Sequence, residues 1–363
     1  MADRTAIEWT DATWNPLRGC TRVSEGCRNC YAEIMAARFN GPGQWGEGLA
    51  TMTRVHHTGK FDHRWTGKVV QAPKDVLTQP LRWKRPRRIF VTSTSDPFHE
   101  SVPDDWIDRI FAVMALAPQH TFQVLTKRPE RAWQYLAASR SSVVCREAFD
   151  LVCEDHIRNP NSRLGNQCIM TGDIPHLRDW PLPNVWLGTS IEDQATADAR
   201  IPCLLMTPSA VRFISAEPLL GPVDLTRLDT VDDCHTNALS GKTCGPVPTE
   251  RFTHPRLDWV ICGGESGPGA RPMHPDWARS LRDQCQAAGV AFFFKQWGQW
   301  ACLHDHEGRR DWMLMTYDGK LDLPDDRWPD EEAGEAAVVP VGKKAAGRLL
   351  DGREWNQMPG VRP

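Results

Sequence analysis

Three cysteines near the start of the chain are the residues best suited to chemistry. Cys20, Cys27 and Cys30 have the spacing C-x6-C-x2-C in the segment GCTRVSEGCRNCYAE. Thiolates bind soft transition metals, so three of them on one short loop predict a metal site. A closed structural zinc site needs four protein ligands, whereas three cysteines that hold a [4Fe-4S] cluster leave one iron open. The spacing therefore favours a cluster whose open iron binds a substrate or cofactor.

Zinc is the alternative, with His56 or His57 as the fourth ligand after the three cysteines. The N-terminus lacks the basic and apolar regions of a secretory signal, so we expect most of the 12 cysteines to be reduced thiols. No stretch approaches the roughly 20 apolar residues that cross a bilayer. These features predict a cytoplasmic protein that does not enter a membrane.

Short apolar runs indicate the architecture. They lie at 88–96, 121–130, 184–193, 211–219, 258–267 and 290–298, and most are followed by a helical pattern such as 104–118 or 274–290. Near-continuous apolar runs are typical of strands buried on both faces of a parallel sheet. The β-then-α order predicts an α/β fold, a partial (βα) barrel.

Two polar stretches at about 139–180 and 227–257 interrupt this order and are predicted to be loop insertions. The barrel is expected to span residues 1–300. The remaining residues, 301–363, are rich in Asp, Glu, Pro and Gly and then turn basic, which predicts a C-terminal extension that packs on the barrel.

Polar residues follow the apolar runs where parallel strands bind ligands, at their carboxyl ends. They are Ser93, Ser95 and Asp96; Thr126, Lys127 and Arg128; Ser190 and Glu192; Glu217; and Gly263, Gly264, Glu265 and Ser266. The serines and threonine could equally cap the helices that follow. Glu217 and Glu265 are stronger candidates, because a carboxylate at the end of a buried strand must be solvated, paired or bound to a ligand.

Glycines and basic residues extend this set. The run GGESGPGARP offers close backbone approach at Gly263 and Gly264, and Arg271 beyond it is either a carboxylate or phosphate ligand or a surface arginine. Lys127 and Arg128 place positive charge at a strand end, where they either bind an anionic group or form a solvated face. The net charge of −3 gives no general attraction for nucleic acid, although a local basic patch remains compatible with it.

The ordered motifs IEWTDATWNP, IFVTSTSDPFHE, QVLTKRPER, VWLGTSIEDQ, RFISAEPLLGPV, WVICGGESGPGARP and FFFKQWG, with the cysteine segment, cover nearly the whole chain. Together they resemble a phage-associated family of unknown function marked by a three-cysteine motif. That family in turn resembles a divergent branch of the radical S-adenosylmethionine enzymes. In that superfamily three thiolates hold a [4Fe-4S] cluster, and the open iron chelates the amino and carboxylate groups of S-adenosylmethionine.

The resemblance implies that Cys20, Cys27 and Cys30 hold the cluster. The first gap is six residues here and three in the superfamily, and Asn29 replaces the usual aromatic residue before the third cysteine, with Tyr31 just after it. The superfamily's Gly-Gly-Glu contact to the cofactor follows its second strand, whereas Gly263, Gly264 and Glu265 follow a later one. These three residues are therefore candidates by chemistry and position alone.

The expected function is an iron–sulfur enzyme that generates a 5′-deoxyadenosyl radical from S-adenosylmethionine, with an electron donor protein as partner. A nucleotide or nucleic-acid base is the expected substrate, by analogy with phage-associated relatives. Glu217 and Lys127 are the candidate catalytic residues. The expected cofactor-binding residues are Tyr31, Ser93, Ser95, Asp96, Thr126, Lys127, Arg128, Ser190, Glu192, Glu217, Gly263, Gly264, Glu265, Ser266 and Arg271. The alternative is a non-enzymatic, zinc-stabilised nucleic-acid-binding or interaction protein of phage origin.

Overall fold

Short strands and helices alternate along the chain. The computed structural model describes residues 5–55, 61–138, 140–158, 180–229, 235–244, 255–303, 308–323 and 328–360. The strands are β1 (Ala12–Trp14), β2 (Leu17–Arg18), β3 (Ala50–Arg54), β4 (Phe61–Trp65), β5 (Val70–Gln71), β6 (Arg88–Val91), β7 (Thr121–Thr126), β8 (Val185–Ile191), β9 (Val211–Ala216), β10 (Leu228–Asp229), β11 (His235–Asn237), β12 (Lys242–Cys244), β13 (Trp259–Gly263), β14 (Ala291–Gln296), β15 (Trp300–Cys302), β16 (Met313–Thr316), β17 (Leu321–Asp322) and β18 (Glu335–Pro340).

The helices begin and end largely where the sequence places start and stop signals. They are α1 (Tyr31–Arg38), α2 (Lys74–Leu77), α3 (Asp104–Ala115), α4 (Pro129–Ala137), α5 (Ser141–Arg158), α6 (Gln194–Met206), α7 (Pro275–Ala288) and α8 (Lys343–Ala346). The α3 helix starts directly after Pro103, with two aspartates in its first turn. Gly289 ends α7 with a φ of 64°, a left-handed conformation that glycine adopts without strain.

A seven-stranded sheet contains all six predicted strands and one more, β1. Its order is β1-β6-β7-β8-β9-β13-β14. The pairs β1–β6, β6–β7, β9–β13 and β13–β14 are parallel, and every residue of β8 and β13 is buried. The fold is therefore mixed α/β, and its sheet is consistent with the predicted partial (βα) barrel.

The two predicted loop insertions contain regular structure. Residues 141–158 form α5, which packs against α3, so the prediction of a loop was wrong for this part. One face of α5 is buried through Val144, Ala148 and Val152, which recur every four residues. The polar composition of the segment obscured this helical signal. In the second stretch, β10, β11 and β12 form a small antiparallel sheet. Residues 139, 159–179, 230–234 and 245–254 of these stretches lie outside the described residues.

The chain forms two compact units. One comprises Met1–Arg22, Tyr31–Gly188 and Thr207–Val211, and the other comprises Val23–Cys30, Thr189–Met206 and Arg212–Pro363. In the second unit the C-terminal residues pack beside β13 and β14: the Trp355 carbonyl accepts from the Phe294 N–H at 2.9 Å, and the Gln357 carbonyl accepts from Trp259 Nε1 at 2.9 Å. The same unit holds a four-stranded sheet of order β15-β18-β16-β17. No helix in the described ranges has the length and apolarity needed to span a membrane.

Candidate functional site: the cysteine loop and its anchors

Asp96 organises the carboxyl ends of β6 and β7. Its carboxylate accepts hydrogen bonds from Thr126 Oγ1 at 2.7 Å and from the Lys127 N–H at 3.0 Å. Thr126 ends β7, and Arg128 is the residue before Pro129, where α4 begins. Four predicted site residues therefore lie together, namely Asp96, Thr126, Lys127 and Arg128. The carboxylate oxygens of Asp96 are hydrogen-bonded to the other three.

Arg128 reaches from this strand end to the first part of the cysteine loop, which we define as residues 19–30. Its guanidinium lies 3.1 Å from Asp96 Oδ2 and 2.7 Å from Glu100 Oε1. It also donates to Thr21 Oγ1 at 2.7 Å and to Cys20 Sγ at 3.8 Å. Burial would lower the pKa of Arg128, but the hydrogen bond to Glu100 and the nearby acidic groups raise the pKa above its ordinary value. The charge of Arg128 is thus matched by protein groups.

Ser95 also holds the first part of the loop. Its hydroxyl donates to the Gly19 carbonyl at 2.6 Å, while the Gly19 N–H donates to the Thr94 carbonyl at 3.2 Å. Gly19 has a φ of 93°, and a Cβ there would lie 2.1 Å from the Lys68 carbonyl oxygen. Only glycine fits at this position. Ser93 instead donates to Asn15 Oδ1 at 3.0 Å, away from the loop residues.

Glu192, at the end of β8, anchors the next part of the loop. Its carboxylate accepts from Ser24 Oγ at 2.9 Å and pairs with Arg200 Nη1 at 3.0 Å. A Cβ at Gly26 would lie 2.5 Å from Glu192, so glycine lets the loop approach this carboxylate closely. Ser24 Oγ also lies 3.9 Å from Cys27 Sγ.

Glu265, which follows β13, anchors the last part of the cysteine loop. It accepts from Asn29 Nδ2 at 3.0 Å, and Arg271 pairs with it at 2.8 Å and donates to the Glu25 carbonyl at 3.0 Å. Burial alone would raise the pKa of Glu265, but the hydrogen bonds from Arg271 and Asn29 outweigh it and lower the pKa. Glu265 and Arg271 are therefore paired with each other, and each also binds a residue of the cysteine loop.

Glu217 and Lys295 form a pair that contacts no loop residue among its described hydrogen bonds and ion pairs. Lys295 Nζ lies 2.8 Å from Glu217 Oε1, and Ser215 Oγ donates to Glu217 Oε2 at 2.9 Å. A Cβ at Gly263 would lie 2.9 Å from Glu217 Oε1. Unlike Glu192 and Glu265, this predicted strand-end carboxylate does not hold the loop in the described part of the chain.

Gly264 serves backbone packing. A Cβ there would lie 1.9 Å from the Trp297 carbonyl oxygen, and the Gly264 N–H donates to the Gln296 carbonyl at 2.9 Å. The close approach of two backbone segments explains this glycine without a bound ligand.

The remaining predicted site residues differ in burial and in hydrogen bonding. The Ser190 carbonyl accepts from Arg200 Nη1 at 2.7 Å, the Lys127 side chain is half-buried, and Ser266 is exposed. Tyr31 is 68% exposed at the start of α1, so its ring is not packed into the protein.

The three cysteines carry thiols and form no disulfide. Within the described ranges, no group of three or more His, Cys, Asp or Glu side chains is arranged to hold a metal ion. Thiols are the donor type that an iron–sulfur cluster requires, and Cys20 lies next to the Arg128 guanidinium. His56 and His57, the alternative zinc ligands, lie outside the described residues.

Several residues of the site were not predicted from the sequence. Thr21, Ser24 and Asn29 lie between the cysteines, and their positions alone could have suggested a role in shaping the loop. Glu100 and Arg200 lack any such signal. The Glu100 side chain reaches Arg128 from the turn before α3, and the Arg200 side chain reaches Glu192 from α6.

Comparison with known proteins identifies the family. No curated protein and no solved structure matches the chain. Residues 4–359 match the family described as "Protein of unknown function (DUF5131)". Because this match covers nearly the whole chain, the protein belongs to the DUF5131 family.

Proposed function

We propose that this protein is an iron–sulfur enzyme of the radical S-adenosylmethionine type. In this proposal Cys20, Cys27 and Cys30 hold a [4Fe-4S] cluster with one open iron. The observation that supports it is the use of strand-end side chains: β6, β7, β8 and β13 each contribute groups that hold residues of the cysteine loop. A connecting loop without a function would not need buried charged anchors, which are costly to desolvate.

When bound, such a cluster would supply the electron that cleaves S-adenosylmethionine to a 5′-deoxyadenosyl radical. The protein's own residues orient and tune the site. Arg128 places positive charge beside Cys20, which would offset the negative charge of a metal-bound sulfur. Glu192 and Glu265 fix the loop segments before Cys27 and Cys30, which limits the positions that these thiols can occupy.

Glu217 and Lys127 are the proposed catalytic groups. Glu217 is partly exposed and has Lys295 as its counter-charge, and its carboxylate would accept a hydrogen bond or proton from substrate. Lys127 follows β7 directly and would contact an anionic group of the substrate. The proposed substrate is a nucleotide or nucleic-acid base, and a separate protein would donate the electron.

Metal analysis of anaerobically purified protein tests the proposal. We expect about four irons and about four sulfides per chain. Cys20→Ala, Cys27→Ala and Cys30→Ala should each lose most of this iron. Cys145→Ala is the matched control, because Cys145 is exposed on α5, and it should retain wild-type iron. One equivalent of zinc without iron would instead support the zinc-stabilised interaction protein.

A further inference from the structure

Five of the seven residues 82–88 are lysine or arginine, and we call this segment the basic turn. No Asp or Glu occurs at 76–95, so the segment has no acid near it in the sequence. The whole chain, in contrast, has a net charge of −3. Because Arg82, Lys84 and Arg85 are exposed, the basic turn presents positive charge to solvent.

In the described part of the chain, no carboxylate pairs with the three exposed cations. Lys84 and Arg85 have no hydrogen-bond or ion-pair partner there. Arg82 donates to Thr78 Oγ1 at 3.1 Å and to the Asp75 backbone carbonyl, and both of these groups are uncharged. Like charges this close in sequence repel each other, and a partner of opposite charge would remove that repulsion.

The ends of the basic turn are fixed by contacts with the rest of the fold. Trp83 is 8% exposed, and its backbone carbonyl accepts from Gln119 Nε2 at 3.3 Å. The Arg87 guanidinium lies over the Trp83 ring, 4.7 Å from its centroid, and Arg88 begins β6. Lysine and arginine side chains between these fixed points can meet a partner with little loss of backbone entropy.

The phosphate backbone of a nucleic acid is the partner that these cations fit best. A guanidinium fork binds phosphate oxygens in pairs, and successive phosphates present a row of negative charges. A membrane-binding surface combines basic residues with apolar side chains that enter the lipid. Among the described residues, no large apolar side chain at 74–88 is exposed, which favours nucleic acid over an anionic membrane.

We propose that the basic turn binds the phosphate backbone of a nucleic acid. The turn precedes β6, whereas Asp96 follows the same strand. The basic turn is therefore separate from the strand-end residues that hold the cysteine loop. It holds a polymer by its phosphates and does not read the bases.

Fluorescence anisotropy with labelled DNA and RNA duplexes tests this inference, and the assay needs neither iron nor S-adenosylmethionine. For three phosphate contacts, the logarithm of the binding constant should fall with the logarithm of the salt concentration with a slope of about −3. In the double variant Lys84→Gln with Arg85→Gln, the size of the slope should decrease by about 2, and affinity at about 0.1 M salt should fall about tenfold or more. Lys84→Gln alone should reduce the slope by about 1, which provides a second measurement if the double variant does not fold.

The matched control is the double variant Arg309→Gln with Lys320→Gln. It removes the same net charge from another part of the surface, where Arg309 pairs with Asp311 and Lys320 pairs with Asp318. Its affinity and its salt slope should equal those of the wild type.

Equal losses in the two double variants would overturn the inference, because net charge alone would then explain the binding. Wild-type protein that binds neither duplex in a salt-dependent way would also overturn it, as would tighter binding to phosphatidylserine vesicles than to either duplex. These outcomes leave the proposed function intact. Protein that holds no iron but binds a duplex through the basic turn would support this inference and overturn the proposed function.

Discussion

The guanidinium of Arg128 lies 3.1 Å from the carboxylate of Asp96, and both side chains are buried. This ion pair joins the end of β6 to the start of α4, and Arg128 continues from it to Thr21 and Cys20. The same arrangement recurs at other strand ends, where Glu192, Glu217 and Glu265 each pair with a basic side chain. Paired strand-end acids are therefore the structural basis of this site.

Replacing Arg128 by methionine should destabilise the fold strongly, because Asp96 would keep a buried charge without its partner. We expect a loss of about 3–5 kcal/mol in the free energy of unfolding, measured by urea denaturation. Arg109→Met is the control: Arg109 pairs with Glu147 at 3.3 Å but is largely exposed, so its loss should cost about 0–1 kcal/mol. Equal costs for the two variants would contradict the assigned role of Arg128.

Replacing Gly264 by alanine should destabilise the protein whether or not a cofactor is bound. The added Cβ would meet the Trp297 carbonyl oxygen at 1.9 Å, and the backbone must shift to relieve the clash. Overpacking of this kind costs about 1–3 kcal/mol, which thermal denaturation detects. Gly360→Ala, where nothing lies within 4 Å of the added Cβ, should change stability by less than about 0.5 kcal/mol. If Gly264→Ala is equally stable, the glycine is more simply explained by a bound ligand.

The stability of the protein should decrease as the pH falls below about 6.5, partly through His274. Burial lowers the pKa of His274 from its ordinary value of 6.5, so the folded chain keeps the ring neutral while the unfolded chain binds a proton. Protonation of the unfolded state then favours unfolding. His274→Asn preserves an acceptor for the Asp276 N–H that starts α7, and should show a smaller loss between about pH 7.5 and about pH 5. An identical pH profile for both proteins would rule out this contribution.

Replacing Glu217 by glutamine should reduce formation of 5′-deoxyadenosine or modified substrate without changing the iron content. A general acid or base contributes about 10²–10⁴-fold to rate, so a loss in this range is expected. Product chromatography measures it. Glu130→Gln is the control, since Glu130 is exposed in the first turn of α4. Unchanged turnover by Glu217→Gln would remove Glu217 from the catalytic groups, and Lys127→Met tests the second candidate in the same assay.

The sequence predicted the parallel strands well, because burial on both faces leaves a continuous apolar run. The run at 184–193 became β8 (Val185–Ile191), and the run at 290–298 became β14 (Ala291–Gln296). The first strand, β1, was not predicted, because its three residues are too few to show a period. The helix α5 was missed because its charged outer face dominates the composition of the segment.

The candidate site was predicted in its members but not in their roles. Position after a strand identified Asp96, Arg128, Glu265 and Arg271 as functional candidates, and the structure pairs Asp96 with Arg128 and Glu265 with Arg271. That they anchor the cysteine loop could not be predicted, because Arg128 meets Cys20 across more than a hundred residues of chain. Such pairing depends on how strand ends are arranged in space, and the hydrophobic periodicity of the sequence does not indicate that arrangement.

The most direct test of the central claim is electron paramagnetic resonance of the anaerobic, reduced protein before and after addition of S-adenosylmethionine. If three cysteines hold a [4Fe-4S] cluster with an open iron, the reduced cluster gives a signal that changes when the cofactor binds, and Cys27→Ala abolishes it. A protein with zinc and no iron signal, or a cluster signal that S-adenosylmethionine leaves unaltered, would contradict the claim.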